Sequence, residues 1–135
     1  MEVQLNPYLM FNGNAAAAMT FYKSVFGGEL TMQTFGEVKM AQSPKDENLI
    51  MHASLKSDSA VIMASDAQSG EPATAGDNIR LSISGKDAKG LTDVFDKLAQ
   101  GGTVDTPLAK QFWGDPFGMV TDKFGTQWMV NIAKG

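Results

Sequence analysis

The stretch AAAAMTFYKSVFGG, residues 15–28, decides the fold because its pattern occurs twice in the chain. Its apolar residues recur at the spacing i, i+3, i+4, i+7, which places them on one face of a helix. The stretch AKGLTDVFDKLAQGG, residues 88–102, has the same spacing and the same closing pair of glycines. We therefore predict two equivalent helices, at 15–26 and 88–99. Their apolar positions are Ala18, Phe21, Tyr22, Val25 and Phe26 in the first helix and Leu91, Val94, Phe95, Leu98 and Ala99 in the second.

Both predicted helices carry signals for their ends. Asn14 and Asp87 precede them, and both are residue types that cap a helix N-terminus through the side-chain oxygen. A glycine pair follows each helix and can end it in the left-handed conformation. We expect Asn14 and Asp87 to be the two caps.

The strands repeat as well. Residues 6–13 and 78–85 precede the helices, and aligning them matches Asn6 with Asn78. Three β-like segments follow each helix. The sequence thus predicts an α+β fold of paired βαβββ modules that form a concave mixed sheet. The later segments are 30–35, 49–55 and 60–65 in the first half and 103–108, 117–121 and 127–132 in the second.

The length of 135 residues suits one domain, residues 1–135. Within it, the first module covers about residues 5–66 and the second about residues 78–133. The stretch 67–77 is rich in Ser, Gly, Ala and Pro, a composition typical of a linker.

Composition limits the possible functions. A net charge of −4 argues against nucleic-acid binding, which usually needs a basic surface. No cysteine is present, so neither disulfides nor thiolate chemistry is available. No apolar run approaches the ~18 residues of a membrane span. The first residues lack the basic and apolar blocks of a signal peptide. We therefore expect a cytoplasmic protein with no membrane partner.

Alternation along each strand indicates which side chains point away from the helix that covers the sheet. The faces without helices are expected to meet across a concave cleft that holds a ligand. His52, the only histidine, is either a ligand contact or base there, or a hydrogen-bonded histidine on the sheet surface. No residue is assigned a catalytic role beyond this candidate. The predicted ligand-binding residues are Tyr8, His52, Met63, Arg80, Trp113 and Met129.

For several of these candidates a structural alternative is open. Arg80 either holds an anionic ligand or forms a salt bridge at the sheet edge. Trp113, next to Phe112, either lines the pocket or fills a module junction or dimer contact. Tyr8 either turns its hydroxyl to the ligand or packs in the core. Asp66 either reaches the cleft mouth or starts a turn.

Several runs resemble a known family. PYLMFNGNA (7–15) and AMTFYKSVFG (18–27) resemble the start of the vicinal oxygen chelate superfamily, which includes glyoxalase I, bleomycin and fosfomycin resistance proteins, and extradiol dioxygenases. IMASD (62–66), FWG (112–114) and FGMVTDKFGTQWMVN (117–131) are similar to its PhnB-like, demethylubiquinone methyltransferase-like branch. The resemblance implies paired βαβββ modules and a homodimer.

The resemblance also implies a divalent ion held by four side chains from the first and last strands of each module. Aligned on those strands, this chain has Asn6, Met63, Asn78 and Met129. Two amides and two thioethers bring no negative charge, whereas hard divalent ions favour carboxylates, and zinc favours imidazole or carboxylate. We therefore expect no metal and no cofactor. A glycine-rich turn for a methyl donor is also lacking, since Gly13 is a lone turn glycine.

The sequence therefore predicts a small-molecule-binding protein of this superfamily, PhnB-like and without the divalent-metal site. Two alternatives stay open. One is a glyoxalase- or dioxygenase-like metalloenzyme with atypical ligands, and the other is a metal-free lyase or isomerase that uses His52 as a base.

Overall fold

Each half of the chain folds as one four-stranded sheet with one helix. The structure is a computed structural model that describes residues 2–134. The chain divides into two compact units, and the boundary falls between Thr74 and Ala75. In the described part of the chain, neither of the 12-residue helices has the length and apolar character to cross a bilayer.

The first unit has the strand order β1-β4-β3-β2. β1 runs parallel to β4, and the other neighbouring strands are antiparallel. A short 3₁₀ turn, Pro44–Asp46, lies in the loop between β2 and β3. The elements are β1 (Tyr8–Phe11), α1 (Ala15–Phe26), β2 (Glu29–Thr34), β3 (Ile50–Lys56) and β4 (Val61–Asp66).

The second unit has the corresponding order β5-β8-β7-β6, again with its first strand parallel to its last. Each unit is therefore βαβββ, and the predicted α+β fold is confirmed. The two helices have the predicted bounds. The elements are β5 (Leu81–Gly85), α2 (Ala88–Ala99), β6 (Thr103–Lys110), β7 (Pro116–Thr121) and β8 (Gln127–Ile132).

The core of each unit lies between its helix and one face of its sheet. α1 packs on β2, β3 and β4, and α2 packs on all four strands of its sheet. Met19, outside the predicted stripe, is fully buried, while Phe21 and Phe26 are only half-buried. The buried apolar residues of the sheets include Ala53, Leu55, Ile62 and Ala64 in the first unit and Val120, Trp128, Val130 and Ile132 in the second.

One of the two predicted helix caps is wrong. Asp87 accepts a hydrogen bond from the Gly90 N–H at 3.0 Å, as expected, but the Asn14 side chain makes no cap hydrogen bond. Asp66 takes that role instead, because its Oδ1 accepts from the N–H groups of Gly13 and Ala15, each at 2.9 Å. Asp66 ends β4 directly beside the end of β1, so its carboxylate reaches the start of α1.

The first strands of both units start later than predicted. β1 begins at Tyr8 and β5 at Leu81, so Asn6 and Asn78 precede the paired strands. Alternation along 78–84 predicts Ile79 on the helix side, but Ile79 is 74% exposed because pairing with β8 starts only at Leu81.

β3 is irregular at its start. Alternation along 49–55 predicts Ile50 on the same face as His52, yet Ile50 is buried. The register between β2 and β3 shifts at Gln33/Thr34, so that Thr34 pairs with Ile50. Such a bulge redirects the side chains on one side of it.

The first part of the predicted linker is tied to the first unit. Ser69 donates to the buried carboxylate of Asp46 from both its N–H and its hydroxyl. Asn12 and Ala73 exchange two hydrogen bonds, in which the Asn12 amide acts like a strand neighbour. Residues 67–74 therefore fold with the first unit.

Asp66→Ala is expected to lower the free energy of unfolding by about 3 kcal/mol, because a buried donor left unpaired costs about 1–3 kcal/mol. Asp66 is 2% exposed and also accepts from the Ile50 N–H at 2.9 Å, so three backbone donors would lose their acceptor. The shift in urea midpoint measures the loss. Asp58→Ala, at an exposed turn position, is the control and should stay within about 0.5 kcal/mol. Equal midpoints for the two variants would contradict the assigned role of Asp66.

Candidate functional site

The side of the first sheet that faces away from α1 carries most of the predicted site residues of that unit. Tyr8 on β1 is registered against Met63 on β4, which is registered against Ser54 on β3. Residues two positions along a strand share a face, so His52 lies on the same side as Ser54. We call this surface the first open face. Its members are Tyr8, Met10, Gln33, His52, Ser54, Met63 and Ser65.

Tyr8 and His52 are joined on the first open face. The Tyr8 hydroxyl lies 3.1 Å from His52 Nδ1, and the two ring centroids are 5.7 Å apart. Within residues 2–134 this is the only hydrogen bond of either side chain. Tyr8 is 44% exposed, so it is not a core residue. The bond crosses the intervening strand β4 and brings two predicted site residues together.

Ser65 separates Met10 from His52 on the first open face. Met10 is registered against Ser65, whose hydroxyl has two acceptors within hydrogen-bond distance, the Met10 Sδ at 3.5 Å and the Asp66 carbonyl at 3.3 Å. Because serine is small, the longer side chains of Met10 and His52 rise on both sides of it. A thioether, a phenol and an imidazole therefore lie near one another on this face, since Met10 contacts Ser65 and Tyr8 contacts His52.

The side of the second sheet away from α2 has a similar make-up. Met129 on β8 is registered against Ser82 on β5 and Met119 on β7. A side chain at Gly118 would meet Phe95 of α2, so its neighbours on β7 point the other way. We call this surface the second open face. Its members are Ser82, Phe117, Met119, Gln127, Met129 and Asn131.

Arg80 forms a salt bridge, which was the structural alternative to holding an anionic ligand. Its guanidinium contacts Asp105 Oδ2 at 3.2 Å and the Trp128 carbonyl at 3.2 Å. The Thr121 hydroxyl donates to the same carboxylate oxygen at 2.7 Å. Asp105 balances much of the positive charge, and a ligand role for Arg80 stays a prediction.

Trp113 lies in an aromatic cluster on the loop before β7. Its ring meets those of Phe112 and Phe117 edge-on, at centroid distances of 4.9 Å and 5.6 Å. Phe112 is 96% exposed and Trp113 is 49% exposed. The cluster is anchored through Phe117, whose strand neighbour Asn131 donates to Asp115 in the same loop. Exposed large aromatic side chains are often part of a binding surface.

Comparison with known proteins identifies the family. The sequence model described as 3-demethylubiquinone-9 3-methyltransferase matches residues 3–131. The chain belongs to this PhnB-like family. It is 34% identical to Protein YjdN of Escherichia coli K12, over 96% of this chain and 95% of that protein.

Solved structures agree with this assignment. Protein PA1353 of Pseudomonas aeruginosa superposes with a TM-score of 0.87 at 38% identity, covering 99% of this chain and all of that one. A PhnB protein from Bacillus cereus gives 0.79 at 27% identity, over 97% and 100% of the two chains. A glyoxalase/bleomycin resistance protein/dioxygenase family enzyme from Burkholderia phytofirmans shares the fold, with a TM-score of 0.60 at 16% identity. The predicted resemblance is confirmed.

The residues of this PhnB-like chain do not fit the divalent ion found in metal-containing members of the superfamily. No group of three or more His, Asp or Glu side chains converges anywhere in residues 2–134. Of the four aligned positions, Asn6 and Asn78 precede the strands, and Met63 and Met129 offer neutral thioethers. Register places Tyr8 and Ser82 beside the two methionines, and neither supplies a carboxylate.

Two buried carboxylates of the PhnB-like chain are structural. Asp66, for which two roles were open, accepts hydrogen bonds from three backbone N–H groups, and a position at a cleft mouth stays a prediction. Asp122 accepts from the N–H groups of Phe124 and Thr126 and from the indole of Trp128. The sequence signal for both was an Asp at the end of a β segment, directly before a turn.

Trp113→Phe is expected to remove most of the iodide-quenchable tryptophan fluorescence. Trp113 is 49% exposed, whereas Trp128 is 2% exposed and donates to Asp122 at 2.9 Å. A Stern–Volmer titration with iodide measures the quenchable fraction. Phe112→Leu keeps both indoles and serves as the control. Quenching of the Trp113→Phe protein at the wild-type level would show that the Trp113 ring is covered in solution.

Proposed function

We propose that this chain binds a small, partly apolar organic molecule on the first open face. The observation that carries the proposal is the hydrogen bond between Tyr8 and His52 beside Met63. An exposed ring offers a stacking surface, a thioether adapts to irregular shapes, and an imidazole supplies one directional polar contact. Ligand sites typically combine such apolar walls with a few placed polar groups.

We also propose that the second unit, considered by itself, offers binding residues. Trp113 and Met129 present apolar surface there, and Arg80 presents a donor that Asp105 already holds in place. The amide oxygen of Gln127, on the second open face, is buried without a hydrogen-bond partner among the described residues. It suits a hydroxyl or amine hydrogen of a ligand. A homodimer and a cytoplasmic location are also part of the proposal, and both rest on sequence and family resemblance.

The family takes its description from a methyltransferase that acts on 3-demethylubiquinone. We propose that this chain binds a ring-shaped molecule of that kind, and we do not propose that it transfers a methyl group. A methyl donor is usually held by a glycine-rich turn after the first strand of a parallel sheet. The corresponding turn here has the single Gly13, whose N–H already donates to Asp66. A quinone ring, by contrast, suits an aromatic and thioether surface.

One observation favours a second candidate function, a metal-free lyase or isomerase. The bond from Tyr8 holds the His52 ring in one orientation, as an oriented general base requires. This candidate needs a free lone pair on Nε2, so the protonation of the ring decides between the two functions.

Isothermal titration with the methoxy-substituted benzoquinone headgroup of ubiquinone is expected to show saturable binding. Tyr8→Ala should weaken it about tenfold, because loss of a stacked ring costs about 1.5 kcal/mol. Met63→Ala should weaken it in the same direction. Ser59→Ala, in the exposed turn before β4, is the matched control and should leave the affinity unchanged. Absence of saturable heat, together with native mass spectra that show no bound molecule on protein taken from cells, would contradict the proposal.

A further inference from the structure

We infer that Tyr8 donates its phenolic proton to Nδ1 of a neutral His52, so that the imidazole presents an Nε2–H to the ligand. The group recognised there is then a hydrogen-bond acceptor, the oxygen of a carbonyl or a carboxylate. The ligand half of this inference rests on the proposed function, whereas the protonation of the ring does not.

Only one hydrogen can lie between the Tyr8 oxygen and His52 Nδ1, which are 3.1 Å apart. A phenol is a stronger acid than the N–H of a neutral imidazole, and an imidazole lone pair is a stronger acceptor than a phenol oxygen. The phenolic proton therefore occupies the bond. Since the hydrogen bond at one ring nitrogen decides which nitrogen is protonated, the ring proton of His52 lies on Nε2.

The surroundings leave the Nε2–H available. No acceptor among residues 2–134 forms a hydrogen bond with it. The nearby Ser65 hydroxyl has its hydrogen-bond partners in Met10 and the Asp66 carbonyl, and forms no bond with His52. Gln33 lies directly across from His52 on β2, and its exposed side-chain amide can add a second donor.

Two adjacent donors favour a ligand with acceptor oxygens. Its apolar part would rest on the Tyr8 ring and the Met63 thioether, which are neighbours across β1 and β4. With a proton on Nε2, the ring has no lone pair on its ligand side. His52 would then orient or polarise an oxygen and would not act as a general base, which argues against the lyase or isomerase.

The protonation of His52 can be measured directly, because it is the only histidine of the chain. A pH titration of the imidazole signals first identifies the pH range in which the ring is neutral. A long-range ¹H–¹⁵N spectrum of labelled protein, recorded in that range, then shows the signals of one imidazole. We expect a protonated-type signal for Nε2 and an unprotonated-type signal for Nδ1. Tyr8→Phe should move the Nδ1 signal and mix the two tautomers, while Ser54→Ala, on the same face, should change neither.

A protonated-type Nδ1 in the wild-type spectrum would overturn the inference. Identical imidazole signals in the wild-type and Tyr8→Phe proteins would overturn it as well. Backbone amide spectra of each variant confirm that the fold is intact, so a loss of folding cannot be mistaken for either result.

The inference about the ligand is tested in the same spectra with two probe molecules, each of which contains a phenyl ring. Benzoate should shift the Nε2 signal saturably and benzylamine should not, although the net charge of −4 attracts the amine. Shifts with benzylamine alone would overturn the acceptor assignment while leaving binding intact. No shift with either probe, with the tautomer as expected, would overturn the ligand half and count against the proposed function.

Discussion

The carboxylate of Asp66 is the constraint on which the first unit depends. It lies at the end of β4, where one oxygen accepts from the N–H groups of Gly13 and Ala15 and the other from Ile50. These three donors belong to the turn after β1, the start of α1 and the start of β3. One buried side chain thus fixes two strands and a helix relative to one another. The position of Tyr8 opposite Met63, and hence its reach to His52, follows from that arrangement.

The helices were predictable from the sequence because their signals are local. Apolar spacing and closing glycines gave 15–26 and 88–99, and the structure has both helices at those bounds. The cap of α1 was not predictable in this way. Asn14 is a good cap by type, but a carboxylate that comes from more than 50 positions later displaces it. Spacing along the chain carries no information about such a long-range competitor.

The site was predictable to the level of a sheet face and no further. Alternation placed His52, Met63 and Met129 on the helix-free sides, and the observed registers agree. The bond from Tyr8 to His52 crosses a strand, and alternation describes only the two sides of a sheet, not the reach of a side chain along one of them. A salt bridge of Arg80 was one of two stated alternatives. Its partner Asp105 could not be named, because it is 25 positions away in sequence and comes close only in the folded unit.

The thioethers of the first open face also make it sensitive to oxidants. Met10 is 50% exposed, and its sulfur already accepts a hydrogen bond from Ser65. Conversion to the sulfoxide would give that position a polar, strongly accepting oxygen and remove an apolar wall. A methionine sulfoxide reductase would restore the wall. The thioether that can adapt to a ligand of irregular shape is thus also the group that peroxide can oxidise.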